Sequence, residues 1–297
     1  MAAAVHLDAQ AHELLTGAQL GMLAVSGQQL PLVNPTAFHF AGQRILTTTS
    51  RHAVKLRLAR RQARAAFLVS SGQRALSFEG RLEIFDPLDL RSQLRAAREG
   101  PSFALGLAGY ALKQAAYAGG YLLDLPAVPG QWWPQNRILL RFTPERARES
   151  GLDASAEDAL PARLKHLPPG FASPLAGEGE AALAWWGTGG LVLTPALWAA
   201  APDGAFLWAN GPAGRGPFAA AVAIEHRHRF RASRQLGVCL RGHLAPDDEA
   251  AERVAARYPV HELGQGRGYR LDLVKVSWWR GFGVGTLPVL SAVRETR

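Results

Sequence analysis

Cysteine is nearly missing from this chain of 297 residues, and the single Cys239 excludes both an internal disulfide and a thiolate metal cluster. A cytoplasmic location is the default expectation. Lysine is scarce too. Only four of the 33 basic residues are lysines, so the net charge of +9 is almost all arginine. Such an excess favours anionic partners, but it also follows from a GC-rich coding sequence, so the placement of the charges says more than their sum. A long clean apolar run is absent as well. The most apolar stretch, Phe103 to Leu123, is interrupted by Lys113 and Gln114. A span takes about 20 apolar residues, so a buried helix and no membrane partner are expected. The alanine-rich start carries His6 and Asp8 in place of a basic and then apolar leader, and no secretory signal is expected.

Several chemical signatures are missing. No nucleophile elbow announces Ser/His/Asp catalysis. The glycine clusters Gly264-Gln265-Gly266-Arg267-Gly268 and Gly281-Phe282-Gly283-Val284-Gly285 lack the Lys-Ser/Thr of a phosphate loop and are expected to be turns. No helix-turn-helix, zinc-finger or RNA-binding signature accompanies the basic runs, so no nucleic-acid partner is expected. Glu225-His226-Arg227-His228 sets two histidines on one strand face without a third ligand nearby, which favours an exposed basic strand over a metal site.

What is present is a globular balance, 48% hydrophobic and 19% charged. A short helix over Asp8–Thr16 precedes strands at Gly21–Val25, Leu30–Phe40 and Arg44–Thr49. Their connections are too short for parallel crossovers, so they form an antiparallel meander. Ser50 is placed to cap a helix over His52–Arg61. Strands Ala65–Ser70 and Ala75–Phe85 follow, then helices Leu88–Arg98 and Phe103–Ala118, and strand Arg137–Phe142 closes the half before Thr143-Pro144-Glu145. The stretch 148–179 has no periodicity and reads as a linker. Beyond it strands recur at Leu191–Trp198, Ala205–Ala209, Val222–Arg231, Gln235–Leu244 and Arg270–Trp279, with a helix over Asp247–Arg257.

Two alignments indicate an internal duplication. Pro35, Phe38 and Gly42 match Pro195, Trp198 and Gly204, and Phe78-Glu79-Gly80-Arg81-Leu82 matches Leu240-Arg241-Gly242-His243-Leu244. The expected organisation is mainly antiparallel β with short helices, in two tandem halves at 1–147 and 180–297.

One junction carries chemistry. Thr48, Thr49, Ser50, Arg51 and Lys55 gather hydroxyls and cations where a strand passes into a helix, the setting in which backbone amides and the helix dipole receive a phosphate. A solvated helix face is the plain alternative for this basic run. The corresponding stretch of the second half, Gly211-Pro212-Ala213-Gly214-Arg215-Gly216, has a single cation. Trp132-Trp133 and Trp278-Trp279 flank closing strands and read as packing, with a ring-covering role as the alternative.

Leu32-Val33-Asn34-Pro35, the strand ending in threonines, Ser50 to Lys55, Arg60-Arg61-Gln62-Ala63-Arg64-Ala65 and Glu79-Gly80-Arg81 occur in an order that resembles the pyridoxamine 5′-phosphate oxidase-like, FMN-binding split β-barrels. Ala59 and Ala63 depart mildly from that pattern. The resemblance implies two split-barrel halves forming an intramolecular pseudo-dimer, with room for a further homodimer. It also implies an FMN whose phosphate meets Lys55 and its neighbours and whose ring edge meets backbone amides near Asn34 and Thr47. The activity implied is a flavin-dependent oxidoreduction of a small or cofactor-like substrate, in which the cofactor carries the hydride and no acid or base need be conspicuous. A deazaflavin, a haem held through His226, His228, His243 or His261, and a non-catalytic flavin-binding role are the alternatives.

Overall fold

A computed structural model describes residues 5–289 apart from 28, 72–73, 152–158, 229–230 and 259–262. Helix α1 (Ala9–Gly17) starts at Asp8, whose carboxylate accepts the Ala11 amide at 2.7 Å. Strands β1 (Leu20–Val25), β2 (Leu32–Ala41) and β3 (Arg44–Ser50) make the expected meander, and helix α2 (Val54–Arg61) leads to β4 (Arg64–Ser71) and β5 (Arg74–Phe85). Three helices, α3 (Leu90–Glu99), α4 (Pro101–Lys113) and α5 (Ala115–Asp124), intervene before β6 (Arg137–Gly151). The six strands close into an antiparallel barrel in the order β1-β2-β3-β6-β5-β4. Phe38, Phe67, Phe78 and Phe142 fill it, all fully buried.

The second half repeats this plan strand for strand. After helix α6 (Ala172–Ala176) come β7 (Glu180–Gly187), β8 (Gly190–Ala201), β9 (Gly204–Ala209), β10 (Phe218–His226), β11 (Leu236–Pro246), helix α7 (Ala250–Ala255), β12 (Arg267–Arg280) and β13 (Gly283–Pro288). The order β7-β8-β9-β12-β11-β10 closes a second barrel, because β10 returns to β7 and β11 pairs with β12. Strand β13 is added outside, on the C-terminal end of β12.

A shared irregularity ties the copies together. The β5–β6 register slips between Glu79 and Gly80, and the β11–β12 register slips between Arg241 and Gly242, at the positions aligned from sequence. A Cβ on Gly80 would lie 2.2 Å from the Thr143 carbonyl oxygen, and one on Gly242 would lie 1.9 Å from that of Asp272. Only glycine fits either bulge. The other alignment needs one correction: Ala41 pairs with Arg44 and Ala201 with Gly204, so Gly204 is the structural counterpart of Arg44, and Gly42 corresponds to Pro202 in the tighter numbering of the turn.

The halves share a core. Strands β4, β7, β8 and β10 are buried on both faces, one toward their own barrel and one toward the other half, which explains their unbroken small apolar runs. The Val33 amide points at the Cys239 sulfur at 3.4 Å, and Arg241 donates to the carbonyls of Leu30 at 2.6 Å and Pro31 at 2.7 Å.

Four expectations change. Strand β6 runs through Thr143-Pro144-Glu145 to Gly151, because the bulge opposite Gly80 takes up the extra residue and Pro144 sits where the ladder is already broken. It therefore enters the expected linker. Helix α2 starts at Val54 after Ala53, and Ser50 ends β3 instead of capping it. Strand β7 was not anticipated, and neither was β13, which begins inside the second glycine cluster. The stretch Phe103 to Leu123 is two helices that turn their apolar side to solvent, since Lys113, Gln114 and Asp124 find partners inward.

Candidate functional site

A cavity of about 430 Å³ lies between the halves. One wall is β2 at Asn34–Ala37 with the junction from Thr48 through Ser50 to His52, Ala53, Val54 and Lys55. The opposite wall is the β12–β13 hairpin from Ser277 to Thr286, with Gln235 and Arg241 behind it. Tyr121, Gln131, Trp132 and Arg137 close the side.

Of the residues selected from sequence, Asn34, Thr48, Thr49, Ser50 and Lys55 share this wall. Thr47 lies behind it, buried, its hydroxyl 3.4 Å from that of Thr36. Arg51 is turned away. Its guanidinium grips Asp86 at 2.6 and 2.7 Å, and Arg60 reaches the same carboxylate at 3.4 Å. Burial alone would raise the Asp86 carboxyl, but Arg51, the Leu88 amide and Arg60 together hold it below the ordinary range.

The charges of the wall are all of one sign. Lys55, Arg137 and Arg241 line it, and among the described residues no Asp or Glu does. Lys55 donates to the Thr36 hydroxyl at 2.8 Å, and Arg137 to that of Thr48 at 3.0 Å. Lys55 is only half-buried by surface area, yet protein surrounds it and its accessible part lies along the cavity. Burial, reinforced by the Arg137 charge, pulls its pKa down to about 7. Helix α2 begins here without a side-chain cap; the Leu56 and Arg57 amides bond the Ala53 carbonyl at 3.1 and 3.3 Å, which leaves those of Val54 and Lys55 without a capping group. The Ser50 hydroxyl accepts the His52 amide at 3.2 Å and donates to the Gln131 carbonyl at 2.6 Å, which fixes the bend between strand and helix.

Four residues of the wall carry buried polar atoms without a partner among the described residues: Thr49 Oγ1, Trp132 Nε1, Gln235 Nε2 and Trp279 Nε1. Such orphans are uncommon in native proteins and call for a reason. Aromatic rings cluster opposite Lys55. Phe282, at the hairpin turn, packs edge-on against Tyr121 with centroids 5.7 Å apart, and 6.2 Å from Trp132.

No family model matches the sequence, and no curated protein does. Solved structures of similar fold are found. The resemblance is to split barrels of the pyridoxamine 5′-phosphate oxidase type. A protein of the pyridoxinephosphate oxidase family related to general stress protein 26, from Clostridium acetobutylicum, is 14% identical, with a TM-score of 0.32, covering 48% of this chain and 86% of its own. An FAD-binding protein from Mesorhizobium loti is 16% identical, with a TM-score of 0.34, covering 49% of this chain and 95% of its own. The haem storage protein of Vibrio cholerae is 14% identical, with a TM-score of 0.33, covering 49% and 95%.

The second half has nothing comparable at the matching junction. Strand β9 ends at Ala209 and no helix stands between it and β10. Trp208 and Ala209 take the places of Thr48 and Thr49. Near the same barrel, Arg257 is buried over the Trp198 ring, 3.8 Å from its centroid, and donates to the carbonyls of Leu160, Ala176, Glu178 and Trp198 at 2.8 to 3.0 Å. Three of these acceptors, Leu160, Ala176 and Glu178, belong to the stretch between the barrels.

The histidines singled out from sequence lie elsewhere. His226 contacts Glu178 at 2.6 Å, Glu225 pairs with Arg227, and His243 is exposed on β11. His228 accepts the Arg231 amide at 3.0 Å, and His261 lies outside the described residues. No group of three metal-ligating side chains occurs among the described residues. Sequence reasoning missed Arg137, and of the hairpin wall it offered only Trp278-Trp279, with a ring-covering role as the alternative. Arg137 was visible as a cation opening the closing strand, whereas the hairpin had been read as a turn.

Proposed function

We propose that the cavity binds one flavin mononucleotide per chain and supports a redox reaction on a small or cofactor-like substrate. The observation that carries this is the positive charge of Lys55, Arg137 and Arg241 in a wall that has no carboxylate among the described residues. Two cations that disfavour each other beside a half-enclosed space are relieved by a dianion, and a phosphate supplies one. The residues present fit the cofactor. Lys55, Thr49 with its orphaned hydroxyl, and the uncapped start of α2 would hold the phosphate. Asn34 and Gln235 offer amides to a ring edge, and Trp132, Trp279 and Phe282 offer apolar faces to a flat ring.

When bound, the flavin supplies hydride or electron transfer. The chain's own part is to bind, orient and exclude water. Arg137 is held toward the cavity by Thr48, and the hairpin shields the side facing the second half. A deazaflavin bearing a ribityl phosphate would meet the same cations and belongs to the same reading. Haem is less well served: among the described residues His52 is the one histidine of the wall, and it is exposed.

Titration of purified protein with FMN, followed by fluorescence and absorbance, tests the proposal. Lys55→Ala is expected to weaken binding by roughly 10- to 100-fold, the worth of one charge-assisted contact. No binding of flavin or deazaflavin, or an affinity unchanged by Lys55→Ala, defeats it.

A further inference from the structure

The helices between β5 and β6 are inside out. On α4 and α5 the described polar side chains other than Ser102 point toward the protein. Lys113 donates to the Leu15 carbonyl at 2.8 Å and stands 4.2 Å from the Phe38 ring centroid. Gln114 donates to the Phe38 carbonyl at 3.0 Å, and Asp124 accepts from Arg231 at 2.6 Å and from the Ser233 amide at 3.0 Å. The outward side is apolar. Leu105, Leu112, Leu122 and Leu123 are 72%, 80%, 64% and 70% exposed. Among the described side chains from Pro101 to Pro126, every exposed one is apolar except Ser102. The second half shows that this is no requirement of the fold. Helix α7, at the same place, turns Glu249, Glu252 and Arg253 to solvent.

A face of this kind is covered by something, and its edge says what. Helix α3 runs straight into α4 through Gly100, and it exposes Leu90 and Leu94 beside Arg91, Arg95 and Arg98. Two carboxylates stand against these arginines: Glu99, already taken by Arg44 at 2.7 Å and Arg141 at 2.9 Å, and the N-cap Asp89, which accepts the Arg91 and Ser92 amides. The edge is therefore cationic. A protein partner would be met through about one hydrogen bond per 100–200 Å², and among the described side chains this face offers a single exposed hydroxyl, that of Ser102. A bilayer surface asks for no hydrogen bonds, takes leucines into its acyl boundary and attracts arginines with acidic headgroups. No helix among the described residues is long and apolar enough to cross, so the helices would lie flat.

We propose that the outward face of α4 and α5, with the leucines and arginines of α3, docks on an anionic lipid surface. This replaces the expectation of no membrane partner, and it stands independently of what the cavity holds.

Sedimentation of the full chain with phosphatidylcholine vesicles, with and without phosphatidylglycerol, tests it. The protein is expected to pellet with the anionic vesicles and to be released by salt. Leu112→Glu with Leu122→Glu is expected to lower the affinity at least about tenfold. Arg91→Gln with Arg98→Gln is expected to lower it roughly thirtyfold, at about 1 kcal/mol per arginine. Melting curves matching the parent show that the variants fold, since all four side chains are exposed. Protein that stays in the supernatant with both vesicle types overturns the proposal, and so does pelleting that the leucine pair leaves unchanged. A dimer in sedimentation velocity that the leucine pair dissolves also overturns it, because a second copy would then be the cover.

Discussion

Lys55 concentrates the chemistry of the site in one side chain. Its ammonium is disfavoured by burial first and by Arg137 second, which brings its pKa to about 7 against an ordinary 10.5. The sign follows directly. Between about pH 7 and 10.5 the unfolded chain holds a proton on this lysine that the folded chain has released, so the group's contribution to stability rises with pH across that window. A phosphate in the cavity reverses the preference, since the dianion favours the charged lysine. Binding above pH 7 then takes up a proton. FMN affinity is expected to fall by up to tenfold per pH unit from about pH 7 upward, and to fall again below about pH 6 as the phosphate itself is protonated. Lys55→Met removes the first limb. The variant should lose flavin affinity, keep or raise its melting temperature in the absence of flavin at pH 6, and show no decline above pH 7. Flavin binding that is flat with pH in the parent protein would remove Lys55 from the phosphate site.

The paired bulges are the element that makes two barrels comparable. Each glycine lets its strand pass a carbonyl that a Cβ would strike, at 2.2 Å for Gly80 and 1.9 Å for Gly242. Gly80→Ala and Gly242→Ala are each expected to lower stability by about 2–3 kcal/mol, read as a loss of denaturation midpoint. A change under about 0.5 kcal/mol at either would mean that the bulge relaxes freely. Both glycines were legible in the sequence because each sits in a repeated five-residue pattern. The meander β1–β3 was legible too, since its connections are short and its strands are rich in β-branched and apolar residues. Strand β7, Glu180-Ala181-Ala182-Leu183-Ala184-Trp185-Trp186-Gly187, was not. Its alanines are buried on both faces by the docking of the halves, so no alternation marks it. The hairpin β12–β13 was hidden by its glycines. Gly285 is needed where the Trp278 ring lies 2.5 Å from a would-be Cβ, and local reasoning sees only a turn former. Arg51 misled for a similar reason. Its sequence neighbours predict a phosphate contact, but Asp86, 35 residues on, claims its guanidinium. Partners that distant are set by the barrel and not by the motif.

At the scale of the whole molecule, duplication and asymmetry have to be read together. Both halves close the same barrel, yet among the described residues only the first has a helix and a lysine after its third strand, and only the second ends in an added hairpin. The two differences meet. The hairpin of the second half forms the far wall of the first half's cavity, so the site needs both copies and is built once. On the other side, Arg257 spends its donors on the carbonyls of Leu160, Ala176, Glu178 and Trp198, and covalently continuous chain occupies the ground near that barrel. A symmetric homodimer of single barrels would offer two equal sites, whereas this chain is expected to bind one FMN. Calorimetric titration of the full chain should therefore give a stoichiometry near one. Phe282→Ala, at the tip of the hairpin and away from either barrel core, should weaken binding several-fold through lost contact area without moving the denaturation midpoint by more than about 0.5 kcal/mol. Two flavins per chain would show that the second barrel keeps a site of its own. A Phe282→Ala variant with parental affinity would place the ligand entirely on the first half, and the hairpin would then be packing alone.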